Sequence, residues 1–227
     1  GGAVGKVAWQ WKANGGTTAT NTTGNGIDSV VQANTTAGFS IVTYTGNGTQ
    51  SGQTVGHGLG AVPKMIISKD RNASSNVPHW RVYHESIGNT KYLTLQGTNA
   101  ASTFNDWDNT TPTSSVYSVG GAGGYTPTNN NNTPYIAYCF AEKQGYSKFG
   151  KYVGNGNADG PFVYTGFKPA FVMLKPAGIS EHWVMHDNTR DPYNKTYHYL
   201  FANENEAEAS GGTHHIDLLS NGFKIRT

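Results

Sequence analysis

Histidines are the first residues of this chain whose type and spacing could do chemistry. Six of the eight form three pairs: His79 and His84, His182 and His186, His214 and His215. A zinc site needs three or four ligands that converge on one point. On a strand, His182 and His186 would point to the same face, whereas His79 and His84 would point to opposite faces. Because the two related pairs disagree in geometry, we predict no metal site and no cofactor.

Two carboxylates flank a tryptophan in the segment FNDWDNTTPT. Asp106 and Asp108 are two residues apart, so on a strand they would share a face beside Trp107. Hydrolysis of a glycosidic bond needs two carboxyl groups across a cleft, so an envelope polysaccharide depolymerase is one alternative. The later part of the chain has no counterpart of this segment, and the chain has no G-x-S-x-G nucleophile motif. We therefore predict no catalytic residues and a non-enzymatic protein.

Aromatic residues beside short polar side chains indicate a different chemistry, the binding of sugars. Aromatic faces stack on the apolar faces of sugar rings, while Asn, Asp and Thr side chains bond the hydroxyl groups. The candidate glycan-binding residues are Trp107, Asp106, Asp108, Tyr125 and Tyr193. Trp107 lies in a polar loop, which we expect to be outside the core. For tryptophans on strands the alternative is a core position, which we expect for Trp80 and Trp183.

Composition excludes several classes of protein. The chain of 227 residues has 13% charged residues, a net charge of +2 and 30 glycines, which is typical of a turn-rich β protein. It lacks the massed basic residues of a nucleic-acid interface and has no apolar stretch long enough to span a membrane. We therefore predict no nucleic-acid partner and no membrane insertion. The one cysteine, Cys139, lies in an apolar run and is predicted to be buried.

One set of landmarks occurs twice in the same order. TYTGNG (43–48) returns as KYVGNG (151–156). Four further pairs of segments follow: HGLGAVPKMIISK and TGFKPAFVMLK, HWRVYH and HWVMH, KYLTLQGTNAA and HYLFANENEAE, SSVYSV and SNGFKI. Because chance does not preserve such an order, we infer two copies of a unit of roughly a hundred residues.

Each copy has the pattern of short strands separated by turns. That pattern is typical of an antiparallel sandwich or barrel, and the best helix candidate is a turn or two at residues 205–209. We predict an all-β fold of two tandem antiparallel β-sandwich (jelly-roll-like) domains related by the internal repeat. The first repeat covers residues 39–142 and the second covers residues 143–227. Residues 1–38 hold an N-terminal strand and a flexible linker.

The two copies differ in their last strand. The first ends with YIAYCFAE (135–142), and the second lacks such a strand. The N-terminal run VAWQW, with Val7, Trp9 and Trp11, has the pattern of IAYCF (136–140). We therefore predict that it is the remnant of a preceding repeat or a donor strand that fills the vacancy by strand addition. Between chains this contact would give a ring or a fibre; the competing explanation is that the sequence is an excerpt of a longer polypeptide.

The landmarks as a set resemble a repeated β domain of tail-fibre-type structural proteins from marine bacteriophages, including phages of cyanobacteria. HGLGAVPKMI (57–66) and YIAYCFAE (135–142) are the most specific parts of the resemblance, which covers roughly residues 39–227. The resemblance implies a virion-surface protein, with a host glycan or an envelope protein as a candidate ligand. It carries over no catalytic residues. The second copy has Thr165-Gly166-Phe167 in place of HGLG, so no shared role follows for His57.

These features favour a non-enzymatic structural protein of a virion or an extracellular fibre, which self-associates and binds a host glycan or envelope protein. A purely structural filament subunit, assembled by strand exchange, is the alternative. A depolymerase is the less favoured one.

Overall fold

The chain is built from strands. A computed structural model describes residues 5–72 and 80–226. Those residues form 18 strands and one short 3-10 helix, Glu85–Ile87, and all strand pairs but one are antiparallel. The predicted all-β fold is confirmed. The described part contains no helix that is long and apolar enough to cross a membrane.

The strand bounds divide the chain into two halves. The strands of the first half are β1 (Ala19–Asn21), β2 (Gly26–Ile27), β3 (Ser29–Asn34), β4 (Phe39–Thr45), β5 (Gln53–Gly56), β6 (Pro63–Asp70), β7 (Trp80–His84), β8 (Lys91–Thr94), β9 (Ser102–Thr103), β10 (Val116–Val119) and β11 (Pro134–Ala141). The strands of the second half are β12 (Asp159–Tyr164), β13 (Phe171–Leu174), β14 (Val184–Asp187), β15 (His198–Phe201), β16 (Ala209–Ser210), β17 (His215–Leu219) and β18 (Gly222–Arg226).

Two sheets enclose the core of the first half. The larger has the order β1-β3-β4-β11-β6-β7-β8-β9, and the smaller has the order β10-β5-β2. Strand β11 is central because its side chains alternate, with Tyr135, Ala137 and Cys139 turned to the core. The core also contains Val55 and Tyr117 from the smaller sheet. The predicted burial of Cys139 is confirmed.

The second half is built from two smaller sheets. Its sheets have the orders β13-β14-β15-β16 and β12-β18-β17. The buried residues between them are Val172 from the first sheet and Ile216, Leu218 and Phe223 from the second.

A third apolar cluster joins the two halves. It combines Val82 and Leu93 from the eight-stranded sheet with Trp183 beside β14. Strand β6 contributes to both sides of its sheet, because Ile66 lies in the first core while Met65 packs against this third cluster. The larger sheets of the two halves therefore face one another through their outer faces.

Three local predictions differ from the structure. Residues 5–13 form no strand, because the rings of this segment pack on side chains and its backbone pairs with no edge. Residues 205–208 are irregular and lead into β16, so the predicted helix is wrong; this acidic run has no apolar face to bury. Trp183 is buried as expected, whereas Trp80 is only half-buried and stacks on Tyr138 at 6.4 Å between ring centroids.

Candidate functional site

A buried ion pair lies beneath the loop that carries most of the predicted binding residues. Arg81 of β7 and Asp106 are 4% and 0% exposed, and Arg81 Nη1 lies 3.5 Å from Asp106 Oδ2. The central carbon of the guanidinium lies 3.9 Å from the ring centroid of Tyr92, and Arg81 Nη2 donates to the hydroxyl of Tyr125 at 3.4 Å. We call Arg81, Tyr92, Asp106 and Tyr125 the Arg81 cluster.

A tight turn over residues 105–109 carries Asp106 into this position. The carbonyl of Asp106 accepts a hydrogen bond from the Thr128 hydroxyl at 2.6 Å and another from the Gly120 N–H at 3.2 Å. A side chain at position 120 would be too close to its surroundings, since a Cβ there would lie 2.6 Å from the carbonyl oxygen of Gln50. The glycine therefore allows the two loops to close over the carboxylate.

Burial controls the electrostatics of the pair. It raises the pKa of Asp106 to about 6, although Arg81 acts in the opposite direction. For Arg81, burial lowers the pKa, but the carboxylate of Asp106 and the two tyrosines outweigh this and leave it raised. Both carboxylate oxygens are buried and accept no hydrogen bond from the described residues. The pair can hold the loop in place, but it presents no polar atom to a ligand in solution.

Trp107 and Asp108 occupy different environments. Trp107 is 1% exposed, belongs to the first core and meets Tyr83 edge to face at 5.7 Å between centroids. The prediction that its loop lies outside the core is therefore wrong: Asn109 and Thr110 are exposed, while the indole turns inward. Asp108 is half-buried and accepts a hydrogen bond from the Gly52 N–H at 2.6 Å. Asp106 and Asp108 thus do not present a joint pair of carboxylates.

The two predicted tyrosines lie in different halves of the fold. Tyr125 is 44% exposed, and its ring centroid lies 5.7 Å from that of Phe104. Tyr193 is 84% exposed and precedes Asn194, whose side chain exchanges two hydrogen bonds with the backbone of Leu218 at 3.1 and 2.8 Å. The five predicted residues therefore do not form one site.

A shallow concavity of about 380 Å³ opens beside Tyr193. Its lining includes Asn194, Lys195, Asp217 and Arg226. Arg226 Nε donates to Asp217 Oδ2 at 2.7 Å, and its Nη1 forms an ion pair with Asp159. Arg226 therefore links Asp217 and Asp159 through its own contacts.

Four exposed aromatic rings lie on chain segments next to the residues that line this concavity. Phe162 and Tyr164, on β12, are 44% and 64% exposed. Phe162 pairs with Lys224, which pairs with Asp217, so these side chains share one face of the sheet. Tyr193 and Tyr197 flank the lining residues Asn194 and Lys195 in the sequence, and Tyr197 is 48% exposed. We call Phe162, Tyr164, Tyr193 and Tyr197 the aromatic face.

Sequence reasoning identified only Tyr193 of the aromatic face. The signal for two others was present in PFVYTG, where alternation on a strand turns Val163 to the core and Phe162 and Tyr164 away from it. Alternation alone could not reveal that this second face is open.

His186 and His182 pack against neighbouring side chains. His186 is 1% exposed, and its Nδ1 lies 3.2 Å from the hydroxyl of Thr196. His182 stacks on Phe201 at 4.2 Å between centroids. His79 lies outside the described residues. Among residues 5–72 and 80–226, no three His, Cys, Asp or Glu side chains are grouped so that they could hold a metal ion.

The predicted assembly segment packs within its own chain. Trp11 meets Phe140 and Phe171 edge to face, at 6.2 and 5.8 Å between centroids. Trp9 also lies against Phe171, and its indole N–H donates to Asp187 at 3.3 Å. Val7 is 43% exposed. The two tryptophans therefore bridge the larger sheets of the two halves through side-chain contacts.

The chain belongs to a family described as a domain of unknown function, DUF7483, whose family model matches residues 2–227. The match spans both halves of the fold. We found no match among curated proteins or among solved structures.

Proposed function

We propose that this chain is a non-enzymatic structural and adhesive module of a virion or extracellular fibre, and that it binds a host-surface glycan through its aromatic face. The resemblance to phage tail-fibre-type proteins motivates the location at the virion surface. The aromatic face is the observation that carries the binding function. Tyr193, which the sequence predicts to be a glycan-binding residue, belongs to the aromatic face.

The proposed module consists of two tandem β-sandwich units related by a repeat. In the larger sheets, β6 to β9 follow one another in the same order as β13 to β16. In the smaller sheets, β5 pairs with β10 as β12 pairs with β18.

The pairing register supports this organisation. Three strand pairs of the first unit have a counterpart in the second. Ile66 pairs with Tyr83 as Val172 pairs with His186. Tyr92 pairs with Ser102 as Tyr199 pairs with Ala209, and Val55 pairs with Tyr117 as Val163 pairs with Phe223. The landmarks align Ile66 with Val172, Tyr92 with Tyr199, and Tyr117 with Phe223, and the remaining residues lie in the landmarks or within two residues of them. A one-residue slip would turn every side chain to the opposite face, so agreement in three separate strand pairs argues for a common unit.

The aromatic face is open only in the second unit. In the first unit the position that matches Tyr164 is Gly56, and a Cβ there would lie 2.2 Å from Asn21 Oδ1. The strand β2 also pairs with the edge of β5 in that unit. The first unit therefore covers this face with residues 21–27, whereas the second leaves it to solvent.

The chemistry of the aromatic face suits a glycan. Exposed rings offer flat apolar surfaces to sugar rings, and the adjacent Lys195 offers a hydrogen-bond donor. Asp217 and Arg226 hold each other at 2.7 Å, so the charged part of the surface is nearly self-compensated. A neutral or weakly acidic oligosaccharide is therefore the expected ligand class.

A glycan array probed with the whole chain tests the proposal. A glycan that binds is then titrated against Tyr164→Ala, with Tyr146→Ala as the control, because Tyr146 is 59% exposed but lies outside the aromatic face. We expect Tyr164→Ala to weaken binding by about 3- to 10-fold, the value of one aromatic contact, and the control to leave it unchanged. Binding to no glycan, or equal loss in both variants, would refute the proposal.

A depolymerase is the less favoured alternative. Glycoside hydrolysis needs a carboxylic acid whose pKa is raised so that it can donate a proton. On the aromatic face, the hydrogen bond from Lys224 lowers the pKa of Asp159 instead. Release of reducing sugar ends from a bound polysaccharide by the wild-type chain would favour the enzyme.

A further inference from the structure

The strand β13 has one free edge. In the first unit the matching strand, β6, pairs with β7 on one side and with β11 on the other. Within the described residues, β13 pairs with β14 alone. A free edge presents unpaired N–H and C=O groups, which form a template for another strand.

The second unit also has a counterpart of β4, the strand that pairs with the other edge of β11 in the first unit. In the first unit, Tyr44 of β4 meets Tyr117 at 6.4 Å between centroids and an interplanar angle of 74°. In the second unit, Tyr152 meets Phe223 at 6.5 Å and 85°. Tyr152 matches Tyr44 in the repeated phrase, and Phe223 matches Tyr117. The chain around Tyr152 therefore lies where β4 lies in the first unit, although it forms no strand.

The strand position between β4 and β6, or between their counterparts, is filled in the first unit only. There, β11 pairs with β4 and β6 on its two sides, and Tyr135 of β11 stacks on Tyr44 at 5.0 Å. Tyr44 is consequently 5% exposed. In the second unit Tyr152 is 39% exposed and the next residue, Val153, is 83% exposed. Their exposure is what an unfilled central strand position would produce.

We propose that the second unit holds an open slot between residues 151–153 and β13, and that it accepts one antiparallel strand with the side-chain pattern of β11. The proposal rests on the two-unit organisation proposed above, but not on glycan binding. Since β11 separates β4 from β6 by two strand spacings, or about 9–10 Å, the slot takes a single strand.

The register of β11 specifies the chemistry of the occupant. In the first unit Cys139 pairs with Ile66, and Ala137 pairs with Ser68; both small side chains face the core and are 0% exposed. In the second unit the matching neighbours are Val172 and Leu174. The occupant must therefore have small apolar residues at the two inward positions beside Val172 and Leu174, because larger ones would overfill the core.

The outward positions of β11 carry rings. Phe140 pairs with Met65 and Tyr138 pairs with Ile67. The residue of the second unit that matches Met65 is Phe171. An aromatic residue of the occupant would therefore lie across from Phe171, as a cross-strand pair that favours the antiparallel register.

The chain's own N-terminal segment fits the slot less well. Aligned on β11, Gln10 would replace Cys139 and would place an amide without a partner in the core. Trp9 and Trp11 are also already engaged with Phe171 through their rings. A strand with the composition of β11 is therefore the preferred occupant.

Binding of a synthetic peptide to the whole chain tests this inference. The peptide covers residues 133–142 with Cys139→Ala to prevent oxidation, carries a fluorophore, and is titrated by anisotropy. The matched control has Ala137→Gln and Cys139→Gln, and a second control has a scrambled order. We expect the glutamine peptide to bind at least tenfold more weakly, and the scrambled peptide not to bind.

Amide hydrogen exchange locates the binding. We expect the β11 peptide to slow exchange in β13 (Phe171–Leu174) and to leave β6 unchanged. Equal binding of the scrambled peptide, or binding without protection of β13, would overturn the slot. A peptide of residues 5–13 that binds as tightly as the β11 peptide would overturn the requirement for small inward residues. Glycan binding is scored separately, so failure of one proposal leaves the other measurable.

Discussion

The indole N–H of Trp183 donates to the backbone carbonyl of Thr94 at 2.9 Å, which joins the second half of the chain to the edge of the first half's large sheet. The contact is reinforced nearby, where Lys175 Nζ and the N–H of Glu181 both donate to the carbonyl of Thr98, at 3.0 and 2.8 Å. The hydrophobic cluster around Trp183 draws on both halves. The two halves should therefore unfold together.

Replacing Trp183 tests this coupling. Trp183→Ala should lower the free energy of unfolding by about 3–5 kcal/mol, as expected for a large aromatic removed from a packed site. Trp183→Phe keeps most of the apolar contact and should lose only about 1 kcal/mol with the hydrogen bond. Urea denaturation followed by circular dichroism measures both.

Trp80→Ala is the matched control for Trp183→Ala. Trp80 begins β7 as a half-buried ring stacked on Tyr138, so its loss should be clearly smaller. If Trp80→Ala lowers the free energy of unfolding as much as Trp183→Ala does, the two tryptophans are not unequally buried as described.

Trp107→Ala should destabilise the chain strongly. Its indole is 1% exposed and packs in the first core against Tyr83, so truncation should remove about 3–5 kcal/mol. Tyr193→Ala, at an 84% exposed position, should change stability by no more than about 0.5 kcal/mol. Thermal melting of the two variants distinguishes them. An unchanged melting temperature for Trp107→Ala would show that Trp107 is not a core residue.

The strand pattern of the fold could be predicted from the sequence because alternation is local. In β11, residues with small side chains alternate with rings, and both faces are used as that pattern requires. The burial of Trp107 could not be predicted in this way. The residues around it are polar, and its inward turn depends on Asp106 meeting Arg81, which comes from a distant strand.

The exposure of the aromatic face could not be predicted from the sequence either. The segment PFVYTG predicts a strand with one apolar face to spare, but whether that face is covered depends on other parts of the chain. In the first half of the chain, Asn21 crowds the position of Gly56, whereas Tyr164 in the second half is 64% exposed. Coverage is a tertiary property with no signal in the strand itself.

Asp106 should make stability fall as the pH rises through the weakly acidic range. Its pKa is about 6 in the fold, against 3.8 for a free side chain. Between these values the folded chain binds a proton that the unfolded chain has lost, so the contribution is full below 3.8 and is lost as the pH approaches 6. Its size is at most about 3 kcal/mol.

Asp106→Asn removes this titration while keeping the shape. The slope of unfolding free energy against pH, measured by urea denaturation from pH 4 to 6, should therefore be less negative in the variant. Asp159→Asn is a control that should change this slope in the opposite direction, because the hydrogen bond with Lys224 lowers the pKa of Asp159. The same slope in wild type and Asp106→Asn would contradict the raised pKa.

His186 should contribute in the opposite direction. Burial, aided by Arg190 and His214, lowers its pKa from 6.5 to about 4. The stability that it contributes is therefore present above pH 6.5 and is lost as the pH falls towards 4, by at most about 3 kcal/mol. His186→Gln should lose less stability than wild type between pH 6.5 and 4. Parallel pH profiles for the two proteins would show that this histidine does not titrate as described.

The N-terminal tryptophans distinguish a clasp within the chain from a donor strand between chains. Trp11 bridges Phe140 and Phe171, and Trp9 bonds Asp187, so all these contacts lie within one chain. The double variant Trp9→Ala/Trp11→Ala should lower the melting temperature, because it uncovers the two phenylalanines. It should not reduce self-association, since exposed apolar rings promote association.

Light scattering after size-exclusion chromatography, over a range of concentrations, measures the outcome. The control is Val7→Ala, which alters a residue of the same segment that is 43% exposed; it should leave both melting and mass unchanged. If the strand is instead donated between chains, the reverse is expected for the double variant. The mass of the assembly should fall, while the melting temperature at low concentration should change little. That result would assign residues 7–11 to assembly, and would replace the intrachain clasp with exchange between copies.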